Sequence, residues 1–195
     1  MDDILKRIYE RHHGNTSGFS RHYLLLYTLV LGLEAKKVLE FGSGFSSIVI
    51  LEALRHTGGR LISTDMRPVS NTGMSPEEIA EHPEWTYLEG NSLTTIPVLK
   101  ETGFDLVLHD GSHEWRVVLR DLKRIIPRMK QDGLILVHDT HHRGKNFHLL
   151  LATQFALLGV RHEKVTLPYG YGLTITRIKG DRGHGRVSTT WEKAK

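Results

Sequence analysis

The run Val38-Leu39-Glu40-Phe41-Gly42-Ser43-Gly44-Phe45-Ser46-Ser47 constrains the fold most, because an apolar strand ends in a glycine turn that opens directly onto an apolar helix. Glycine reaches backbone conformations closed to other residues and lets a bound group approach the main chain. The first amides of the following helix have no partners inside it and offer a seat to an anion. Such a turn also ends strands for purely structural reasons, so the downstream pattern has to decide between the two.

After a helix expected over 46–56, Gly58-Gly59 breaks the periodicity, and Arg60-Leu61-Ile62-Ser63-Thr64 forms a second strand that ends at Asp65. In dinucleotide sites an acid roughly 20 residues beyond the glycine turn holds ribose hydroxyls. Asp65 stands close to that spacing. The dinucleotide pattern also needs a third glycine where this chain has Ser47, which argues against a pyrophosphate at the turn.

Further strands are expected at 37–41, 85–89, 104–108 and 133–138, and helices at 2–12, 17–32, 76–81, 94–101, 114–129 and 145–158. Glu163 to Leu167 and Leu173 to Ile178 flank the turn Pro168-Tyr169-Gly170-Tyr171-Gly172 and form an antiparallel pair. Alternating strands and helices imply an α/β fold. The expected architecture is a doubly wound, mostly parallel seven-stranded sheet with an antiparallel final strand and helices on both faces. Ligands bind such sheets at the carboxyl ends of the strands. The residues there are Glu40 to Ser46, Asp65, Gly90 to Ser92, His109 to His113 and His138 to His142.

Two of these ends stand out, because His109-Asp110-Gly111-Ser112-His113 and His138-Asp139-Thr140-His141-His142 each deliver an aspartate flanked by histidines. Read separately, Asp110 caps a helix and Asp139 makes a turn. Together they form a carboxylate and imidazole cluster that suits a divalent cation or general-base chemistry, and spacing does not choose between these.

The run Glu40-Phe41-Gly42-Ser43-Gly44 resembles the first motif of the class I S-adenosylmethionine-dependent methyltransferases, with Ser46 where many members have a third glycine. Asp110-Gly111-Ser112-His113, Asp132-Gly133 and His138-Asp139-Thr140 are similar to the branch of small-molecule O-methyltransferases of the catechol and macrolide-sugar types. The resemblance covers residues 17–178 and implies a Rossmann-like fold. It implies S-adenosylmethionine as cofactor and O-methyl transfer to a small hydroxylated molecule. It places Gly42, Ser43, Gly44 and Ser46 at the methionine end, Glu40 near the amino group and Asp65 on the ribose. Asn91 would bond the exocyclic amine of adenine and Ser92 a ring nitrogen. Asp110 would border the cofactor and, with Asp139, hold Mg²⁺ or Mn²⁺. In a metal-free variant His113 or His138 would take the acceptor's proton.

The 195 residues, 39% hydrophobic and without cysteine, are expected to form one domain. Its parts would be N-terminal helices over 1–33, a core over 34–178 and a basic tail over 179–195. The absence of a long apolar run or a secretory start leads to an expected cytoplasmic location, as monomer or homodimer, without a membrane partner. The net charge of +4 is a mild excess of 26 basic over 22 acidic residues, so an RNA acceptor or a non-catalytic nucleoside or metal module are the alternatives. Trp85 and Tyr87 are expected to pack on the sheet. Trp115 is open between pocket wall and packing, and the segment 67–74 between lid and loop.

Overall fold

The computed structural model describes residues 3–14, 17–141 and 147–180. Seven strands, β1 (Lys37–Phe41), β2 (Arg60–Asp65), β3 (Trp85–Glu89), β4 (Phe104–His109), β5 (Met129–His138), β6 (His162–Leu167) and β7 (Leu173–Ile178), form one sheet in the order β3-β2-β1-β4-β5-β7-β6. β1 to β5 are parallel, and β7 inserts antiparallel between β5 and β6. The strand order reverses between β1 and β4. In a doubly wound sheet that reversal opens a crevice at the carboxyl ends, where the glycine turn and Asp110 meet.

The strands are apolar on both faces because helices cover both. On one face Val38, Leu61, Leu106, Leu108, Leu136 and Leu173 pack against α1 (Asp3–Gly14), α2 (Tyr23–Gly32) and α3 (Phe45–Thr57). The alternate residues Leu39, Phe41, Ile62, Val107, Ile135 and Val137 face α5 (Ser92–Val98), α6 (Trp115–Ile125) and α7 (Phe147–Ala156). Each fully buried aliphatic side chain contributes about 1.5–3 kcal/mol relative to exposure. This two-sided core fixes the strand ends that carry the polar residues.

Several elements depart from the sequence expectation: β5 begins at Met129 rather than at 133, and the helix expected over 114–129 ends at Ile125 and passes through a 3-10 turn, Ile126–Arg128, into that strand. The helix expected over 17–32 is divided into a 3-10 turn, Gly18–Arg21, and α2, with His22 between them. A Cβ on Gly18 would lie 2.1 Å from the Tyr171 ring, so the chain turns there to admit the loop between β6 and β7. α5 begins at Ser92 rather than Thr94 because the Asn91 side chain caps it, and it stops at Val98, one residue after Pro97. The segment after β2 carries a 3-10 turn at Val69–Thr72 and a five-residue α4 (Pro76–Ala80), with Thr72 and Met74 buried. Its Met74 is anchored in the core beside α3.

Candidate active site

Gly42 has φ 83°, and a Cβ there would lie 2.6 Å from the Asp110 carbonyl oxygen and 2.8 Å from Gly111 Cα. Glycine is required because the ends of β1 and β4 pack backbone on backbone, with Asp110 N donating to Phe41 O at 2.9 Å. Beneath the turn the fully buried Glu40 accepts from the hydroxyls of Ser46 (2.6 Å), Ser47 (2.6 Å) and Ser63 (2.7 Å). Burial pushes its pKa up to about 7 against the pull of those three donors. Glu40 therefore braces the turn from below and lines neither cavity described here, where the sequence placed it beside the cofactor's amino group.

Asp65 ends β2 with both carboxylate oxygens engaged. Oδ2 accepts from Ser43 N (2.8 Å), Ser43 Oγ (3.1 Å) and Arg67 Nη2 (2.8 Å), and Oδ1 from Arg67 N (2.9 Å) and Nε (3.2 Å). Burial raises its pKa, but the bonds from Arg67 and Ser43 outweigh that and bring it down to about 2. Arg67 Nη2 also donates to Ser43 O at 2.9 Å, so the guanidinium spans from the strand end to the turn. Tyr87 braces the same corner, its hydroxyl lying 3.0 Å from Ser43 Oγ and donating to Arg67 O at 2.8 Å. Trp85 is half-buried in the core, and its Nε1 donates to Ser63 Oγ at 3.0 Å.

The two aspartate and histidine turns converge. His138, buried, faces Asp110 Oδ1 at 2.8 Å through Nδ1 and Gly170 O at 2.8 Å through Nε2. Both ring nitrogens thus meet acceptors. Burial opposes charge on the ring, but the Asp110 bond and the charges of Asp110 and Asp139 outweigh it and raise the pKa. Asp139, in the left-handed region at φ 58°, lies 3.5 Å from His138 Nδ1 and bonds His113 Nε2 through Oδ2. Asp110, His138 and Asp139 offer three ligand atoms within 4.8 Å of one another. His142 and the tail residues 181–195 lie outside the described residues.

A cavity of about 500 Å³ opens above this cluster, lined by Gly42 to Ser46, Asp110, His113, His138 and Asp139, and closed by Ser17 to Phe19, Tyr23 and Tyr171. A second cavity of about 580 Å³ runs on past Asp65 to Asn91, Ser92, His109 and Asp121. The two share Gly42, Arg67, Asp110 and His113. Trp115 lines neither.

Several contributors were not identified from sequence. His22, fully buried, bonds Tyr169 O through Nε2 at 3.1 Å and stacks on the Tyr169 ring at 5.1 Å. Burial, then the neighbouring His138, lowers its pKa to about 4. His22 and His138 thereby hold two successive carbonyls, those of Tyr169 and Gly170, and fix the turn before β7. A lone histidine directly before the apolar 23–32 stretch was the available signal. Arg67 and Asp121 had none, since each matters only through a partner distant in sequence or across a turn.

Fold and site together define a doubly wound α/β protein with a glycine turn, a strand-end acid and an acid-imidazole cluster along one crevice. A methyltransferase-domain family model matches residues 39–140, just over half of the chain. The chain belongs to that family, the class I S-adenosylmethionine-dependent methyltransferases. Its fold is similar to that of the cofactor-bound Rv0187 protein of MTB, with TM-score 0.69, 16% identity and coverage of 93% of this chain and 92% of that one. A methyltransferase from Geobacter sulfurreducens gives TM-score 0.65 and 15% identity over 92% of this chain and 91% of that one. MycE methyltransferase of the mycinamycin biosynthetic pathway, in complex with Mg and SAH, gives TM-score 0.62 and 17% identity over 95% of this chain but only 56% of its own. No curated protein matches the sequence. Among the described residues no helix is long and apolar enough to cross a membrane.

Proposed function

We propose that this chain transfers a methyl group from S-adenosylmethionine to a hydroxyl of a small molecule held over Asp110, His113 and Asp139, with residues 1–195 acting as one catalytic domain. The observation that carries this reading is the shared boundary of the two cavities. A nucleoside seated past Asp65 would direct its other end through Gly42 to Gly44 into the acid-imidazole cavity. The fit is supported at Gly44, where a Cβ would meet nothing within 4 Å, so the turn leaves room on the cavity side. The cofactor supplies a methyl group on a sulfonium leaving group.

The protein's own contribution is positioning and proton handling. His138 keeps its ring oriented between Asp110 and Gly170, which engage both of its nitrogens. The acceptor's hydroxyl proton therefore passes to the Asp139 and His113 pair, whose imidazole reaches solvent. Tyr23, Phe19 and Tyr171 exclude water from the acceptor side.

The donor set also fits a divalent cation. Asp110 Oδ1, Asp139 and His138 Nδ1 converge, and His138 Nε2 bonds a backbone carbonyl, the orienting contact that imidazole ligands use. A cation held there would stabilise the deprotonated acceptor oxygen. In the neighbouring fold, MycE is in complex with Mg, SAH and mycinamycin VI.

The test is thermal unfolding with S-adenosylhomocysteine, with and without Mg²⁺, Mn²⁺ or a chelator, followed by labelled-methyl transfer to a panel of hydroxylated acceptors. Ligand at about 100 times its Kd adds about 2.7 kcal/mol of stability. A rise in Tm with the nucleoside is expected. No rise, together with a rise for NAD, overturns the reading.

A further inference from the structure

α1 lays Ile4 and Ile8 into the core, and the half-buried Arg7 and Arg11 run along one flank of that stripe. Both guanidiniums turn to a single ring: Cζ of Arg11 stands 4.0 Å from the centroid of Phe45, and Cζ of Arg7 stands 5.3 Å from it. Like charges four residues apart on a helix repel each other. Neither arginine has an ion-pair partner among the described residues. The ring face attracts both cations but supplies no counter-charge. The pair is therefore a positive pole that lacks an anion.

That pole adjoins the cavity that holds Asp110, His113 and Asp139. Phe45 lines the cavity, and its ring meets the Tyr23 ring edge-on at 4.9 Å. Tyr23 and Ser17 line it as well, their hydroxyls 3.4 Å apart. α1 ends at Gly14, three residues before Ser17, so its last turn, which carries Arg11, leads directly into this wall. Burial raises the Tyr23 pKa, the Ser17 bond and the charge of Arg11 pull it down, and the charge of Asp110 adds to the rise. The field of Arg11 thus reaches the wall. Arg67, the guanidinium that lines the cavity itself, is already bonded to Asp65 and to Ser43 O. The acids of the cavity are bonded to imidazoles, whereas the charge beside Phe45 is unspent.

We infer that the acceptor is a hydroxylated anion, whose carboxylate or phosphate docks on Arg7 and Arg11 beside Phe45 while its hydroxyl lies over Asp110, His113 and Asp139. The inference rests on the reading of this cavity as the acceptor side of a methyl-transfer site, and it names the class of molecule that side selects. A guanidinium presents parallel N–H groups to two oxygens of either anion, whereas a neutral acceptor leaves both charges unmatched. Arg7 and Arg11 are specificity residues: they hold the far end of the acceptor and take no part in moving its proton. The donor also carries a carboxylate, at its methionine end, and the test separates the two anions.

Calorimetry on the full chain loaded with S-adenosylhomocysteine tests this with matched probes, 3,4-dihydroxybenzoate against its methyl ester and glucose 6-phosphate against glucose. The wild type is expected to bind an anionic probe about tenfold or more tightly than its neutral partner, the size of a charge-assisted hydrogen bond at a half-exposed site. The double variant Arg7→Gln/Arg11→Gln brings that ratio to within about twofold and leaves S-adenosylhomocysteine affinity within about twofold. Thermal unfolding reports whether the double variant folds, and Arg11→Gln takes its place if it does not. No preference for either anionic probe in the wild type, failure of both to bind included, overturns the proposal. So does a preference that survives in the variant. Weaker binding of S-adenosylhomocysteine by the variant, with 5′-methylthioadenosine unaffected, also overturns it, because the arginines would then hold the donor's carboxylate. Each of these results leaves the methyltransferase reading standing. Failure of the wild type to bind S-adenosylhomocysteine overturns that reading and this inference with it.

Discussion

The cavity beside Asp65 is walled by residues that follow β1, β2, β3 and β4, with Val117 and Asp121 from α6, whereas the cavity beside Asp139 borrows much of its wall from elsewhere. Ser17, Gly18, Phe19 and Tyr23 reach it from the N-terminal helices, and Tyr171 from the turn between β6 and β7. The cavity beside Asp65 is therefore a consequence of the sheet itself: any chain that winds this way brings those ends together. The cavity beside Asp139 depends on the docking of a 3-10 turn against a loop, held by His22 and by the missing side chain of Gly18. Conserving a cofactor while varying an acceptor needs only that second set of contacts to change.

A variant that touches one cavity alone separates the two most sharply. Asp139 lines only the acceptor side, so Asp139→Asn is expected to lower kcat by about 10²–10⁴-fold, the usual loss when a positioned proton acceptor is removed. S-adenosylhomocysteine affinity should stay within a few-fold. Steady-state kinetics beside calorimetry checks this, and an equal loss in both would erase the division between the cavities.

Glu40 belongs to the foundation under both cavities, and its titration tests whether that foundation is built as described. A carboxyl whose folded pKa stands near 7, above its ordinary value of 4.5, binds more protons folded than unfolded. Its contribution is therefore fully present below about pH 4.5 and is lost as pH rises through about 7. Asp65, brought down to about 2, does the reverse: its contribution is present above the unfolded value of 3.8 and fades as pH falls toward 2. Glu40→Gln should flatten the pH 5–7 slope of the unfolding free energy by a few kcal/mol at most, on the order of 1.4 per unit of pKa displacement. An unchanged slope would mean that the carboxyl is not held among the three hydroxyls.

On the nucleoside side, Asp65→Asn is expected to weaken S-adenosylhomocysteine binding by about 10–50-fold, the size of a lost charge-assisted hydrogen bond, and to leave acceptor KM within about twofold. The expectation is moderate because Arg67 already occupies the carboxylate and must exchange its bonds for those of ribose hydroxyls. If binding tightens instead, Arg67 would be serving the ligand directly.

The sheet was legible in the sequence because each buried strand is an apolar run closed by a polar or glycine residue. Lys37–Phe41 and Trp85–Glu89 have the expected bounds. The strand ends around Asp65 were legible for the same reason. The wall of the cavity beside Asp139 was not, since the division of 17–32 at His22 follows from an approach of Tyr171 that periodicity along one helix does not encode. Glu40 was named, but its setting was not legible: the hydroxyls of Ser46, Ser47 and Ser63 that hold it come from α3 and β2, and only the folded register brings them together. Asp121 reads in sequence as one acid in the helix Arg120-Asp121-Leu122-Lys123, and its burial against Ser92 depends on how α6 rotates onto the sheet.

His113 gives the finest test of the boundary, because it lines both cavities while its ring is 59% exposed. Its Nε2 bonds Asp139, and its carbonyl accepts from His148 Nε2 at 2.8 Å, which anchors the backbone of the loop to α7 independently of the side chain. Replacing the ring should therefore leave the loop in place and remove only the relay from Asp139 to solvent. A water in the same position can carry much of that traffic, so His113→Gln is expected to lower kcat by only about 3–10-fold, at the weak end of general-base effects. Donor affinity should stay within about twofold. A fall in donor affinity larger than the fall in kcat would move His113 to the nucleoside side and shift the boundary between the two cavities from Arg67 to the far edge of Ser112.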